Sequence, residues 1–244
     1  MKLTAATVLA SCAPSLAFAL VGITWSIPGV PSTGLNSVTF PLSLAQTPHE
    51  TGYYFAQQFN FVGQQDVGYT GLQPRPDANG RPAIHAVFSS FIAGTTTNDA
   101  NCGSGADGGP GVSCGVEFSA PYSNGYNLEI VNTGGTTWTG TAVDSTTGDR
   151  VHIGTYTLPA GTQGIKGSQV GFVEYYPWNS GTHTCSSLPY AYVTFGYPVS
   201  PSGIGSLGDA YEYGDCVGNV AFKNSRSAGG IDVQVGFNPG TARN

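Results

Sequence analysis

Charge is what this sequence has least of. Only 9% of its 244 residues are charged, and eight Lys and Arg against fourteen Asp and Glu leave a net charge of −6. Eight scattered cations make no basic patch, which excludes a nucleic-acid partner, because neutralising phosphates needs one. The same shortage excludes docking on anionic lipid. Helical periodicity is also missing: no window repeats apolar residues at the spacing of an amphipathic helix, and there is no internal repeat. Several signatures of chemistry are absent as well. There is no G-x-S-x-G elbow, no phosphate loop or EF-hand spacing, no C-x-x-C pair that would argue for zinc, and no E-x-D-x-x-E run.

Gly and Pro are plentiful, at 36 and 16 residues. They are scattered between short apolar runs, which makes them turn punctuation. The runs predict strands at 21–27, 37–44, 52–62, 68–73, 83–92, 115–119, 125–132, 136–144, 151–158, 169–177, 189–196, 219–224 and 230–237. Between 94 and 113 no hydrophobic period exists, which predicts a loop of about twenty residues, a length that is usually functional when it is not disordered. Many short strands and almost no helix predict an all-β fold, a two-sheet β-sandwich or jelly roll of the concanavalin-A-like kind, whose curved sheet offers a groove. The chain length suits one such domain.

The stretch TGYYFAQQFNFVGQQDVGYTGLQP, residues 51–74, organises the rest. Side chains alternate across a strand, so Tyr53, Phe55, Gln57, Phe59 and Phe61 share one face. That face needs a second sheet to cover it. Tyr54, Ala56, Gln58, Asn60 and Val62 share the other, which carries the amides and the ring that a sugar-binding groove uses.

At the N-terminus Lys2 precedes an apolar run that ends in Ala17-Phe18-Ala19, the small residues that signal peptidase reads. Residues 1–19 are expected to be a cleaved leader, and residues 20–244 a secreted, extracellular domain with no membrane insertion. Cys12 leaves with the leader. The remaining four, Cys102, Cys114, Cys185 and Cys216, allow three pairings, of which the nearest-neighbour set, Cys102–Cys114 and Cys185–Cys216, is favoured. The second bridge ties a C-terminal extension.

The succession YYFAQQFNF, GYTGLQ, HAVFSSF, GYNLEIVNTGGTTWTGTAVDSTTG, HIGTYTLP and GFVEYYPW resembles a concanavalin-A-like family of secreted proteins, the domain of unknown function numbered 3472. The likeness covers roughly residues 50–180. It implies the sandwich fold and membership of a carbohydrate-associated superfamily, and it hands over no catalytic residues.

Three constellations could carry chemistry. Paired carboxylates serve glycoside hydrolysis. Among the acids, Glu117, Glu129 and Glu174 fall in expected strands, and Glu174, set among aromatics beside Trp178, is placed where a carboxyl pKa rises. A polysaccharide lyase instead needs Arg or Gln against a uronate carboxylate and His or Tyr as base and acid. Gln73, Arg75, Arg81 and His85 supply these, with Tyr53, Tyr54, Gln57 and Gln58 on the neighbouring hairpin. Asp99, Asn101 and Asp107 offer oxygen ligands to calcium, although a solvated acidic loop explains them as well. Aromatics are abundant for so little charge, and Tyr211-x-Tyr213 lies in a Gly- and Asp-rich stretch that is not easily assigned to core.

The sequence thus predicts a secreted, monomeric, carbohydrate-directed protein with a polysaccharide or cell-wall glycan as partner. If it is an enzyme, a lyase is favoured over a hydrolase, with His85, Arg81, Tyr54 and Glu174 as catalytic candidates and no resident cofactor beyond a possible calcium ion. Gln58, Asn60, Gln73, Arg75 and Trp178 are the expected binding residues. A non-catalytic carbohydrate-binding module and a secreted interaction protein are the alternatives.

Overall fold

The computed structural model describes residues 19–238. All but the last residue of the expected leader lie outside that range. Alternating apolar and polar residues fold as strands throughout, in the order β1 (Ala19–Ser26), β2 (Ser37–Ser43), β3 (Tyr53–Asn60), β4 (Val67–Ala78), β5 (Arg81–Ser90), β6 (Cys102–Ala106), β7 (Gly109–Ser119), β8 (Gly125–Gly134), β9 (Thr137–Asp144), β10 (Arg150–Thr157) and β11 (Ser168–Tyr175). There follow β12 (Ala191–Phe195), β13 (Val199–Ser200), β14 (Gly203–Ile204), β15 (Ser206–Leu207), β16 (Tyr211–Glu212), β17 (Lys223–Ser227) and β18 (Gly230–Val235). Two short 3-10 turns, Tyr176–Ser180 and Cys185–Ser187, interrupt the strands.

The strands form two antiparallel sheets. One runs β15-β1-β11-β3-β4-β5-β7-β6 with β16 beside β1, and the other runs β10-β9-β8-β2-β12-β18-β17 with β13 and β14 at its side. The chain is therefore the two-sheet β-sandwich its sequence predicts. Phe55, Phe59, Ile84 and Phe88 from the first sheet, with Phe61 just beyond the end of β3, meet Phe40, Leu128, Trp138, Tyr156 and Phe195 from the second in one continuous core. Burying each of the phenylalanines contributes roughly 1.5–3 kcal/mol.

Both expected disulfides are present, Cys102–Cys114 and Cys185–Cys216. The two bridges are consistent with export, and no helix among the described residues is long and apolar enough to cross a membrane.

Several expected boundaries shift. The strand expected at 68–73 continues to Ala78 through Pro74 and Pro76. Its pairing with β3 reaches only to Phe55 opposite Leu72, so both prolines lie where β4 has lost that neighbour and no ladder donor is needed on that side. The strand expected at 219–224 sits later, at Lys223–Ser227. The expected loop at 94–113 is in large part a hairpin, β6 and β7, turned by Asp107 and Gly108 at φ +47° and +77°. Two consecutive positive φ values match the twist of a two-residue hairpin turn, and Asp-Gly is a dipeptide that tolerates them.

Candidate functional site

Antiparallel register builds one polar row across the outer face of the first sheet. Glu174 on β11 lies opposite Tyr54 on β3. Phe55 opposite Leu72 sets Tyr54 level with Gln73 on β4. Gln73 lies opposite His85 on β5, and His85 opposite Glu117 on β7. Side chains opposite one another share a face. Five strands therefore present, in order, a carboxyl, a phenol, an amide, an imidazole and a second carboxyl.

Beside this row sits a small apolar cluster, separate from the main core, of Tyr54, Ala56, Val87 and Phe172 with Tyr69 and Tyr176 packed on it. Tyr54 stands edge-on to both Tyr69 and Phe172, at ring distances of 5.4 and 5.6 Å. Glycines make room for the large rings: a Cβ at Gly71 would lie 2.7 Å from Tyr54 Cε2, and one at Gly115 would lie 2.7 Å from His85 Nε2.

Glu174 is 7% exposed. Burial holds its carboxyl above the usual carboxylate range, opposed by a 2.6 Å hydrogen bond from Asn179 Nδ2 and reinforced by the negative charge of Asp107. Asp107 arrives from the β6–β7 turn, where its Oδ2 accepts a 2.6 Å hydrogen bond from Tyr69. Tyr54 is 3% exposed and its buried hydroxyl has no hydrogen-bond partner. Burial, with the charges around it, pushes that phenol far above its ordinary range, so it remains a proton-bearing donor.

Gln73 is half-buried, and its Oε1 accepts a 2.7 Å hydrogen bond from Arg75 Nη2. Arg75 Nε in turn lies 3.3 Å from Glu117 Oε2. This relay holds the oxygen of the Gln73 amide toward Arg75, so that the NH2 group is the end of the amide left to donate. His85 is half-buried; burial lowers its pKa, Arg75 lowers it further and Glu117 opposes the shift.

Other expected site residues fall elsewhere. Arg81 is exposed at the turn of the β4–β5 hairpin, where it pairs with Ala78. At about 3.4 Å per residue it stands some 14 Å from His85 along the strand, so the two do not act on one group. Trp178 is a core residue, 8% exposed, set edge-on to Tyr175 and stacked on His183 at 4.2 Å, and so cannot receive a ligand ring. Gln57 and Tyr53 point between the sheets. Gln57 is fully buried with neither amide atom paired, and Tyr53 donates to the Pro189 carbonyl at 2.5 Å. Gln58 lies four residues along β3 from Tyr54, and its backbone oxygen accepts from Trp25 Nε1. Asn60 Oδ1 accepts from Gln169 Nε2. Both leave the row and mark a different part of the same sheet.

Of the calcium candidates, Asp99 and Asn101 stay together and Asp107 lies apart. Asp99 holds His152 Nε2 at 2.5 Å and caps the Asn101 backbone, while Asp107 binds Tyr69. Glu129 faces Arg150 at 2.5 Å on the second sheet. A cavity of about 600 Å3 lined by residues including Tyr190, Phe222 and Gln234 lies against β18 and shares no residue with the row. The row, where a buried carboxyl and an unpaired phenol meet, is the better candidate, because perturbed groups with convergent polar neighbours mark chemistry more specifically than open volume does.

The residues that sequence reasoning missed are Asp107 as part of this site, Tyr69, Phe172 and Asn179. Asp107-Gly108 carried a hairpin signal that would have placed the first of them.

No family model matches the chain, and no curated protein matches it in sequence. Solved structures do. Scytalido-glutamic peptidase with a peptide-based transition-state analog is 12% identical with a TM-score of 0.50, over 90% of this chain and 98% of that one. SCP-B, a member of the eqolisin family of peptidases in complex with the tripeptide Ala-Ile-His, is 14% identical with a TM-score of 0.46, over the same shares of the two chains. The first of these likenesses shows a shared β-sandwich fold.

Proposed function

We propose that the protein is a hydrolase that cleaves peptide bonds under acid conditions, with Glu174 as its proton-transfer group and Gln73 as its hydrogen-bond donor. The observation that carries this reading is the buried Glu174 carboxyl, raised in pKa, on the same cross-strand row as the oriented Gln73 amide. A general base works best when its pKa lies near the working pH, and burial brings a glutamate closer to mildly acid conditions. The shared fold with a protein named a glutamic peptidase supports the choice of bond.

The chemistry runs in two steps. Ionised Glu174 takes a proton from a water molecule as the water oxygen bonds to the scissile carbonyl carbon, and the Gln73 amide N–H donates to the oxyanion that forms. Protonated Glu174 then passes its proton to the departing amine nitrogen as the C–N bond breaks. Water is consumed, and no redox partner or metal is needed in this scheme.

The β-elimination reading drawn from the sequence loses one of its arms, since Arg81 and His85 lie far apart, although Arg75 remains near His85. One experiment separates the two chemistries. The protein is incubated across a series of pH values from acid to neutral with denatured casein and, in parallel, with a panel of uronate polysaccharides. New peptide termini that vanish in Glu174→Gln support the proposal. Unsaturated uronate absorbing in the ultraviolet, unaffected by Glu174→Gln and lost in His85→Ala, would replace it with a lyase.

A further inference from the structure

Beside the row, the C-terminal part of the chain adds two tyrosines that the proposed reaction does not use. β16 pairs with β1, setting Tyr211 opposite Gly22, while Gly22 lies opposite Phe172 on β11. The Tyr213 backbone N–H donates to the Leu20 carbonyl at 3.1 Å, next to Ala19, which is the partner of Glu174. Tyr211 and Tyr213 therefore flank the Glu174 end of the row at a distance of two strand spacings, about 10 Å between backbones.

Tyr211 is 45% exposed and Tyr213, set deeper, 36%, with ring centroids 6.0 Å apart and planes 42° from parallel. Tyrosines in such a sheet are ordinarily core, and leaving two of them exposed and adjacent costs the burial they would otherwise gain. The fold also reserves space for one of them. A Cβ at Gly22 would stand 2.5 Å from Tyr211 Cζ, so the ring lies flat over bare backbone. Tyr213 is close enough to Glu174 for that carboxylate to disfavour its phenolate, after burial and Tyr211. Tyr213 is thus within electrostatic reach of the carboxyl.

We propose that Tyr211 and Tyr213 form the subsite that grips an aromatic side chain next to the bond cleaved, so that the substrate class is a peptide with Phe, Tyr or Trp beside the scissile bond. The inference rests on the peptidase reading for its substrate, and on exposure, spacing and the Gly22 contact for its location. An aromatic peptide residue suits the place because two partly exposed rings with centroids 6.0 Å apart offer faces and edges on which a third ring packs.

The test has a kinetic arm and a binding arm. In the first, kcat/KM is compared for short alanine-rich peptides with and without one Phe next to the cleaved bond. The Phe peptide is expected to be favoured roughly 3- to 10-fold per ring contacted. Tyr211→Ala and Tyr213→Ala should each erode that preference, read as the ratio of kcat/KM for the two peptides. Gly22→Ala, which displaces Tyr211 without altering it, should do the same. In the second arm the uncleaving Glu174→Gln protein is titrated with the Phe peptide and followed by the NMR shifts of the tyrosine rings. Shifts at Tyr211 and Tyr213 on addition of the Phe peptide support the subsite even if Glu174 proves not to be the reacting group. Equal loss on both peptides, or ring shifts produced by cello-oligosaccharides and not by the Phe peptide, would overturn it.

Discussion

Tyr69 donates its hydroxyl proton to Asp107 over 2.6 Å, joining β4 to the tip of the β6–β7 hairpin. The bond brings a second negative charge toward Glu174, whose pKa that charge helps to raise after burial has done most. Removing the charge should therefore lower the Glu174 pKa without returning it to an ordinary value. In Asp107→Asn the acid limb of a kcat/KM–pH profile is expected to move to lower pH, because a general base stays ionised further into acid. A limb that stays in place, or moves toward neutral pH, would show that Asp107 does not act on Glu174.

Glu174 also makes a stability prediction whose sign differs from the usual carboxylate case. Its folded pKa lies above its unfolded one, since burial penalises the ionised form. The stability it contributes is fully present below the unfolded pKa, about 4.3, and is lost as pH rises through the folded value. Glu174→Gln removes the penalty. By calorimetry its thermal midpoint should exceed that of the wild type at pH 7, and the gap should close at about pH 3.5, below the unfolded pKa. A variant less stable at pH 7 would mean that the Asn179 hydrogen bond outweighs burial.

How much of this was legible beforehand depends on the distance over which each signal acts. Alternation along residues 53–60 is local, and it assigned Phe55 and Phe59 to the core and Tyr54 to the outer face correctly. The nearest-neighbour disulfides followed from short separations of 12 and 31 residues. Register is not local. That Glu174, Tyr54 and Gln73 line up depends on β11 pairing with β3 across more than a hundred residues, and nothing in either segment encodes the partner. Arg81 and His85 share a face by parity, and the Asn79-Gly80 pair that turns the hairpin is itself a turn signal, so the distance of Arg81 from His85 followed from the turn and not from parity. Trp178 misled because it sits on a short 3-10 turn that tucks the indole inward, a geometry without a period long enough to read.

The Glu117–Arg75–Gln73 relay makes a kinetic prediction. Gln73→Ala removes an oxyanion donor and should lower kcat by about 10²–10³-fold. Arg75→Met leaves the amide in place and releases its oxygen from a 2.7 Å hydrogen bond. Its kcat should fall by less, about tenfold, since one hydrogen bond to a charged group is at stake, with KM nearly constant. Arg75→Lys should recover part of the loss, because an ammonium can reach one acceptor though not both. A rise in KM with kcat unchanged would make Arg75 a binding residue instead.

The last prediction concerns the disulfide that ties the Asp107 hairpin. Gly154 on β10 lies directly under it: a Cβ there would be within 2.6 Å of both Cys102 Sγ and Cys114 Sγ. Gly154→Ala should therefore destabilise the oxidised protein by about 1–3 kcal/mol, the range for an overpacked core. Replacing both cysteines by Ala costs about 3 kcal/mol through the loop it opens, but it also removes the two sulfur atoms that the new methyl strikes. The two changes should not add. In urea unfolding, the cost of Gly154→Ala should drop in the cysteine-free background without vanishing, because the β-carbon at position 114 remains in the way. If the two costs simply sum, the disulfide does not press on Gly154, and the hairpin that carries Asp107 is held over the second sheet by something other than this contact.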